Sequence, residues 1–291
     1  MFGRLWFAIR VAASALASFQ KDEGFMLAGY IAYAALLAIF PFLIFATTLA
    51  AATVGPGEVQ ALVDLLFEVA PAEVATEIEP ALRNVLETRR GGLLTVSAAG
   101  ALWVASNGVE AFRRAFDRAY YVEKERHPAL GRIIGLLVVI GGTVAAIVLG
   151  FAVVLAPLII RVVEGWFGIE TPFGIGIARY ALAGLTLFLF LMLMHMTLPS
   201  RPPKWREALP GVLTTLAIWT LAAAGFSIYL AAAPDFSATY GGLAGVIVTL
   251  LFFYISGVVI IYGAEINAAI ARRAGRTPPP AAHRQSEEPA A

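Results

Sequence analysis

From Tyr240 to Ala264 the chain reads YGGLAGVIVTLLFFYISGVVIIYGA, 25 residues without a charged side chain, and then meets Glu265. A helix needs about 20 mostly apolar residues to cross a bilayer, and the run continues to Ala271. Five further stretches satisfy the same length: Ala28–Val54, Gly91–Val109, Ile133–Ile160, Gly174–Leu198 and Ala208–Ala233. Each is expected to be helical, because an isolated strand leaves its backbone unpaired in hydrocarbon. The expected fold is therefore all-α, a polytopic membrane bundle of six transmembrane helices over residues 23–273.

The composition agrees. Of 291 residues, 59% are hydrophobic and 14% charged, and the mean hydropathy is +0.79. A soluble domain runs near 45–50% apolar and about 25% charged. There is no Cys, which excludes disulfides, thiolate metal sites and Cys nucleophiles. Three His residues, His127, His195 and His283, leave little for a metal centre, and no metal or other cofactor is expected. A net charge of +1 argues against a broad nucleic-acid surface. Gly-Lys-Ser/Thr after a Gly-rich run, His-Glu-x-x-His and Gly-x-Ser-x-Gly are all absent. A phosphate-binding loop and the commonest hydrolase sites go with them. The chain is expected not to be an enzyme.

Lys and Arg set the orientation. With the N-terminus placed inside, sixteen basic residues fall in cytoplasmic segments and five outside, accounting for all 21. The expectation is N-in/C-in, with both ends in the cytoplasm. Residues 1–22 are expected to form an amphipathic helix, with Phe2, Leu5, Ile9, Leu16 and Phe19 near one face. Such a helix lies in the membrane interface or packs on the end of the bundle. Pro56 to Arg90 is the one long external connection. Its apolar spacing predicts a helical hairpin over 56–90, either a cap on the bundle, or a lid or a docking site for an envelope protein partner. Residues 274–291 are Pro-rich with nothing to bury, and are expected to be a disordered cytoplasmic tail.

Ionisable residues in hydrocarbon are costly and are candidates for function. Glu265 lies about 37 Å of helix beyond Tyr240, near the cytoplasmic face. Positions 261, 262, 268 and 269 hold no cation, so a partner is expected from Arg113, Arg118 or Arg206. It is either a structural ion pair or a gate or proton-linked switch. Asn267, Glu110, Asn107, Asp117 and Arg118 complete a candidate polar network. Glu110 has Arg113 and Arg114 at helical pair spacing. Arg113, Arg114, Arg179 and Tyr120 are candidate lipid headgroup contacts. His195, alone on an apolar helix, is expected to be a packing residue. Gly241 and Gly245, followed by Gly257 and Gly263, are expected to lie roughly along one close-packed face. Pro41 and Pro157 are candidate kinks.

Three segments carry a family resemblance. The first is Ala28-Gly29-Tyr30-Ile31-Ala32-Tyr33-Ala34-Ala35-Leu36-Leu37, running on to Phe40-Pro41. The second is Ala115-Phe116-Asp117-Arg118-Ala119-Tyr120. The third is Tyr240-Gly241-Gly242-Leu243-Ala244-Gly245-Val246-Ile247-Val248, with Gly263-Ala264-Glu265-Ile266-Asn267-Ala268 at the end of the same helix. In order and spacing they resemble the YihY/BrkB family of bacterial inner-membrane proteins, over about Glu23 to Ala271. Asp117 stands where the family pattern has Asn. The resemblance implies fold and location. Members were once labelled ribonuclease, a label regarded as mistaken, and some are linked to movement of envelope lipids.

The resulting expectation is a protein that moves or presents a lipid or amphiphile for the cell envelope without its own ATPase, with membrane lipids as partners. A secondary transporter or channel for a small solute or ion is the second reading. A membrane scaffold for an envelope partner is the third.

Overall fold

The computed structural model describes residues 2–53, 91–122, 126–157, 160, 164, 173–232 and 243–275. The expected hairpin at 56–90, Gly241 and the tail from 276 lie outside the described residues. Among the described residues seven α-helices occur: α1 (Phe2–Lys21), α2 (Gly24–Thr53), α3 (Gly91–Ala119), α4 (Pro128–Gly150), α5 (Phe173–Thr197), α6 (Trp205–Ala232) and α7 (Ala244–Arg273). No strand occurs among the described residues. Among the described residues four stretches are long and apolar enough to span a bilayer: Ala129–Val153, Gly174–Thr197, Trp205–Leu230 and Ala244–Arg273. A fifth arises if α1 and the start of α2 count together. Helix α2 continues unbroken in range through Pro41.

The helix boundaries have local causes. Pro128 opens α4, where a missing N–H costs nothing, and the His127 ring accepts from Ala129 N–H at 3.3 Å. Lys204 N–H donates to Glu207 Oε2 at 3.0 Å, a carboxylate closing the first turn of α6. The last carbonyls beyond α5 are held by Arg126, which donates to Thr197 O and Pro199 O at 3.0 and 2.9 Å. A cation at a helix C-terminus also suits the dipole. Helix α4 gives way to a π-helical turn, Phe151–Leu155, with Pro157 just beyond it.

The chain divides into two compact units. One holds Met1–Gly24, Phe112–Thr220 and Val259–Ala291. In it α4 packs on α5, with Gly141 facing Leu193 and Gly142 facing Phe190. Helix α1 packs on the end of α7, where Val11 and Ala15 join Ile266 and Ala269 in a buried cluster. The packed face of α1 is Val11, Ala15 and Phe19, whereas Trp6, Phe7, Ile9 and Leu16 are exposed. This differs from the expected face, which grouped Ile9 and Leu16 with Phe19.

The other unit holds Phe25–Ala111 and Leu221–Val258. Leu27, Ala28, Ile31, Ala32 and Ala34 form the buried stripe of α2, at the spacing of one helical face. Gly257 of α7 meets Ala28, and Gly108 of α3 meets Ala34. Phe226 and Phe252 join α6 to α7, their ring centroids 6.1 Å apart.

Gly257 and Gly263 do not share a face. Six residues of helix turn the side-chain direction by about 240°. Accordingly, Gly257 meets α2, while Gly263 meets α6 in the first unit. A Cβ on Gly263 would collide with Thr215 Oγ1, and one on Gly211 with the Gly263 carbonyl. Only glycine on both helices allows that crossing.

Candidate functional site

Several polar residues of the first unit gather where α1, the end of α3, α6 and the end of α7 meet. Glu265 is 1% exposed and Asn267 2%. They lie two apart on α7 and reach different neighbours.

Asn267 belongs to the crossing with α6. Its Oδ1 accepts from Gly211 N–H at 2.6 Å, and its Nδ2 donates to Ala208 O at 3.0 Å. The amide thus matches one donor and one acceptor of the α6 backbone, beside Pro210 within that helix. Thr215 adds a long contact to Val259 O at 3.5 Å.

Glu265 points towards the break between α1 and α2. That break is made by Asp22 and Glu23, and Glu23 has φ of 58°, an uncommon conformation for a non-glycine residue. Asp22 N–H still bonds Ser18 O at 2.8 Å, and Glu23 N–H bonds Gln20 O at 3.2 Å. The Asp22 and Glu265 carboxyl groups lie within hydrogen-bonding reach of each other. Asp22 Oδ2 and Glu265 Oε2 are both buried and receive no donor. Arg272 is the nearest cation, with Nη2 3.9 Å from Glu265 Oε2. That guanidinium is already engaged: Nη2 donates to Ser18 Oγ at 3.0 Å and Nη1 lies 3.4 Å from Ala119 O. It also covers the Tyr121 ring at 5.1 Å.

Burial pushes the Asp22 carboxyl above the usual carboxylate range, against the opposing pull of the Glu265 hydrogen bond and of Arg272, Lys21 and Arg118. Burial likewise raises the Tyr120 phenol, which sits beside Asn267 with Glu265 and Glu207 nearby.

Arg113, Arg118 and Arg206 were the expected partners of Glu265, and the structure corrects this. The nearest cation is Arg272, two turns further along its own helix. Arg113 Nη1 instead binds Asp117 Oδ2 at 2.7 Å. Asp117 also accepts from Ser200 N–H at 2.6 Å and Ser200 Oγ at 2.8 Å. An aspartate there ties the end of α3 to the turn after α5. Arg118 binds Glu23 Oε2 at 2.6 Å and reaches Asp22 O at 3.4 Å, so it steadies the same break from outside. Arg206 lies over the Trp205 ring, 5.6 Å from its centroid.

Asn107 and Glu110 belong to the second unit, and Arg114 is exposed on α3. Arg179 stacks over Tyr180 at 4.6 Å and donates to its hydroxyl at 2.9 Å. His195 is fully buried: Nδ1 meets Leu191 O at 2.9 Å, and its ring lies 4.9 Å from Phe116. Gly245 is half-buried on α7. Among the described residues no group of three or more His, Cys, Asp or Glu could hold a metal ion.

The sequence reading missed Asp22, Arg272 and Ser200. The signals were present but weak: an acid in the charged break Lys21-Asp22-Glu23, and an Arg seven residues after Glu265.

The described helices and the polar cluster at their ends define a multi-pass helical membrane protein. Residues 15–288 match the family described as Virulence factor BrkB, and the chain belongs to that family. It is 32% identical over 257 residues to the "Putative ribonuclease-like protein YfkH" of Bacillus subtilis (strain 168), covering 88% of this chain and 93% of that one. It is 30% identical to a "UPF0761 membrane protein" of Alkalilimnicola ehrlichii, covering 87% of this chain. It is 26% identical to "UPF0761 membrane protein RC1_0578" of Rhodospirillum centenum, covering 94%. The matches span 56% and 60% of those two longer relatives. No solved structure matches.

Proposed function

We propose that this protein moves or presents a lipid or amphiphile for the cell envelope, in the bacterial inner membrane, without its own ATPase and without bond chemistry of its own. In this reading six helices span the membrane, both ends face the cytoplasm, and α1 lies in the inner interface.

The observation that carries the reading is the outer face of α1. Trp6 is 62% exposed, with Phe7, Ile9 and Leu16 also open. Arg10 lies over the Trp6 ring at 4.8 Å, and Arg273 over the Phe7 ring at 5.8 Å. Arg273 Nη2 donates to Arg10 O at 3.0 Å, which holds the cation at the end of α7 beside the one on α1. Aromatic bodies beside cations suit the boundary between acyl chains and anionic headgroups.

The test is native mass spectrometry of the protein extracted with its own lipids and then delipidated. The expected result is a retained anionic phospholipid or glycolipid. Its occupancy falls several-fold in the Trp6→Ala, Arg10→Gln double variant. Retention of nothing beyond the bulk lipid mixture overturns the reading.

A further inference from the structure

We propose that Asp22 and Glu265 form a binding site for a single proton, shared between their two carboxyl groups at the junction of α1, α2 and α7. This site is independent of the lipid reading, because it is a property of the resting protein.

The geometry leads there without any assumption about transport. Two carboxyl groups lie within hydrogen-bonding reach, and each presents a buried oxygen that receives no donor. Two ionised carboxylates are both acceptors, so no hydrogen bond forms between them until one carries a proton. Like charges at that separation do not both ionise readily in a buried place. A proton shared by the two groups supplies the donor that the pair lacks and removes one of the two negative charges.

The surrounding charges leave room for that proton. On α7, Arg272 stands 3.9 Å from Glu265 and spends its closest hydrogen bond on Ser18 of α1. On α3, Arg118 is committed to Glu23. Lys21, the last residue of α1, is exposed, and its charge acts on Asp22 only from a distance. Tyr120 and Tyr121, after α3, offer neutral phenols, and Glu207 of α6 adds a further negative charge near Tyr120. Tyr262 of α7 is directed to Ala12 O of α1 at 3.1 Å. Arg272 therefore balances one carboxylate, and the proton accounts for the second.

The position gives the proton a mechanical meaning. Asp22 is the first residue after α1, and Glu265 is on the helix that α1 packs against. Protonated, the pair is a hydrogen bond that holds the break onto α7. Deprotonated, it is a buried repulsion at the same point.

The test is infrared difference spectroscopy of the full chain in nanodiscs, titrated with base from acidic to alkaline pH. The expected result is a protonated carboxyl carbonyl band at neutral pH that disappears as pH rises, equivalent to one group per chain. Glu265→Gln and Asp22→Asn, each nearly isosteric, should each abolish it. A wild-type protein without the band at neutral pH overturns the proposal. So does a band that survives in both variants, since its proton then lies elsewhere.

Discussion

Asn267 makes two hydrogen bonds that no apolar residue can replace. Its amide accepts from Gly211 N–H and donates to Ala208 O, at the glycine crossing of α6 and α7. Substitution by Ala removes both bonds from a buried place. The cost of leaving such groups without this partner is about 1–3 kcal/mol. We expect Asn267→Ala to lower the midpoint of denaturation in mixed detergent micelles by a corresponding amount. An unchanged midpoint would show that the amide adds nothing to the crossing. The sequence singled out Asn267 and Glu265, because polar groups near an apolar run stand out. It did not separate their roles, since two residues apart on a helix point in directions about 200° apart. Asp22 was only weakly legible. In Lys21-Asp22-Glu23 it resembles any charged break, and only the packing of α1 on α7 brings it to Glu265.

Helix α1 is where the reading of elements partly failed, and the reason is physical. In water a bulky apolar face identifies the buried side. In a bilayer the lipid is as apolar as a leucine, so bulk alone does not mark the packed face. Val11 and Ala15 pack on Ile266 and Ala269, while Trp6, Ile9 and Leu16 stay open. The same element reports the state of the acid pair. Asp22 has its folded pKa raised above the ordinary value of about 3.9 for an unfolded chain. Between those values the attached state binds more protons than the detached one, so attachment weakens as pH rises. Below the ordinary value both states are protonated and the stabilisation is complete; it is lost as pH climbs through the raised value. The chain has no Cys, so Val11→Cys, on the buried face of α1, can be labelled alone. Its rate with a water-soluble maleimide, divided by that of Ala8→Cys on the exposed side, is expected to rise several-fold with pH. Adding Glu265→Gln should flatten the ratio, because the amide cannot ionise. A ratio independent of pH in the otherwise unchanged protein would disconnect α1 from the acid pair.

At the scale of the whole molecule, orientation decides which compartment supplies the proton and which leaflet meets α1. The helices were legible because their apolar runs exceed what a bilayer requires, whereas orientation rests only on where Arg and Lys fall. The ends of α3 and α7 carry Arg113, Arg114, Arg118, Arg272 and Arg273, and the turn after α5 carries Arg201 and Lys204. These basic residues belong to the same unit as Asp22 and Glu265. Long stretches rich in acids, such as Pro56 to Arg90, impose no comparable constraint, since the rule counts cations rather than net charge. A fluorescent protein fused after Ala291 is therefore expected to fold and fluoresce. An alkaline phosphatase inserted near residue 70 should be active, because that enzyme matures only outside the cytoplasm. Both results put the acid pair at the cytoplasmic face, where internal pH sets its occupancy. A dark C-terminal fusion would instead place it at the outer face. The same proton site would then answer to external pH, and the exposed aromatic face of α1 would meet the outer leaflet.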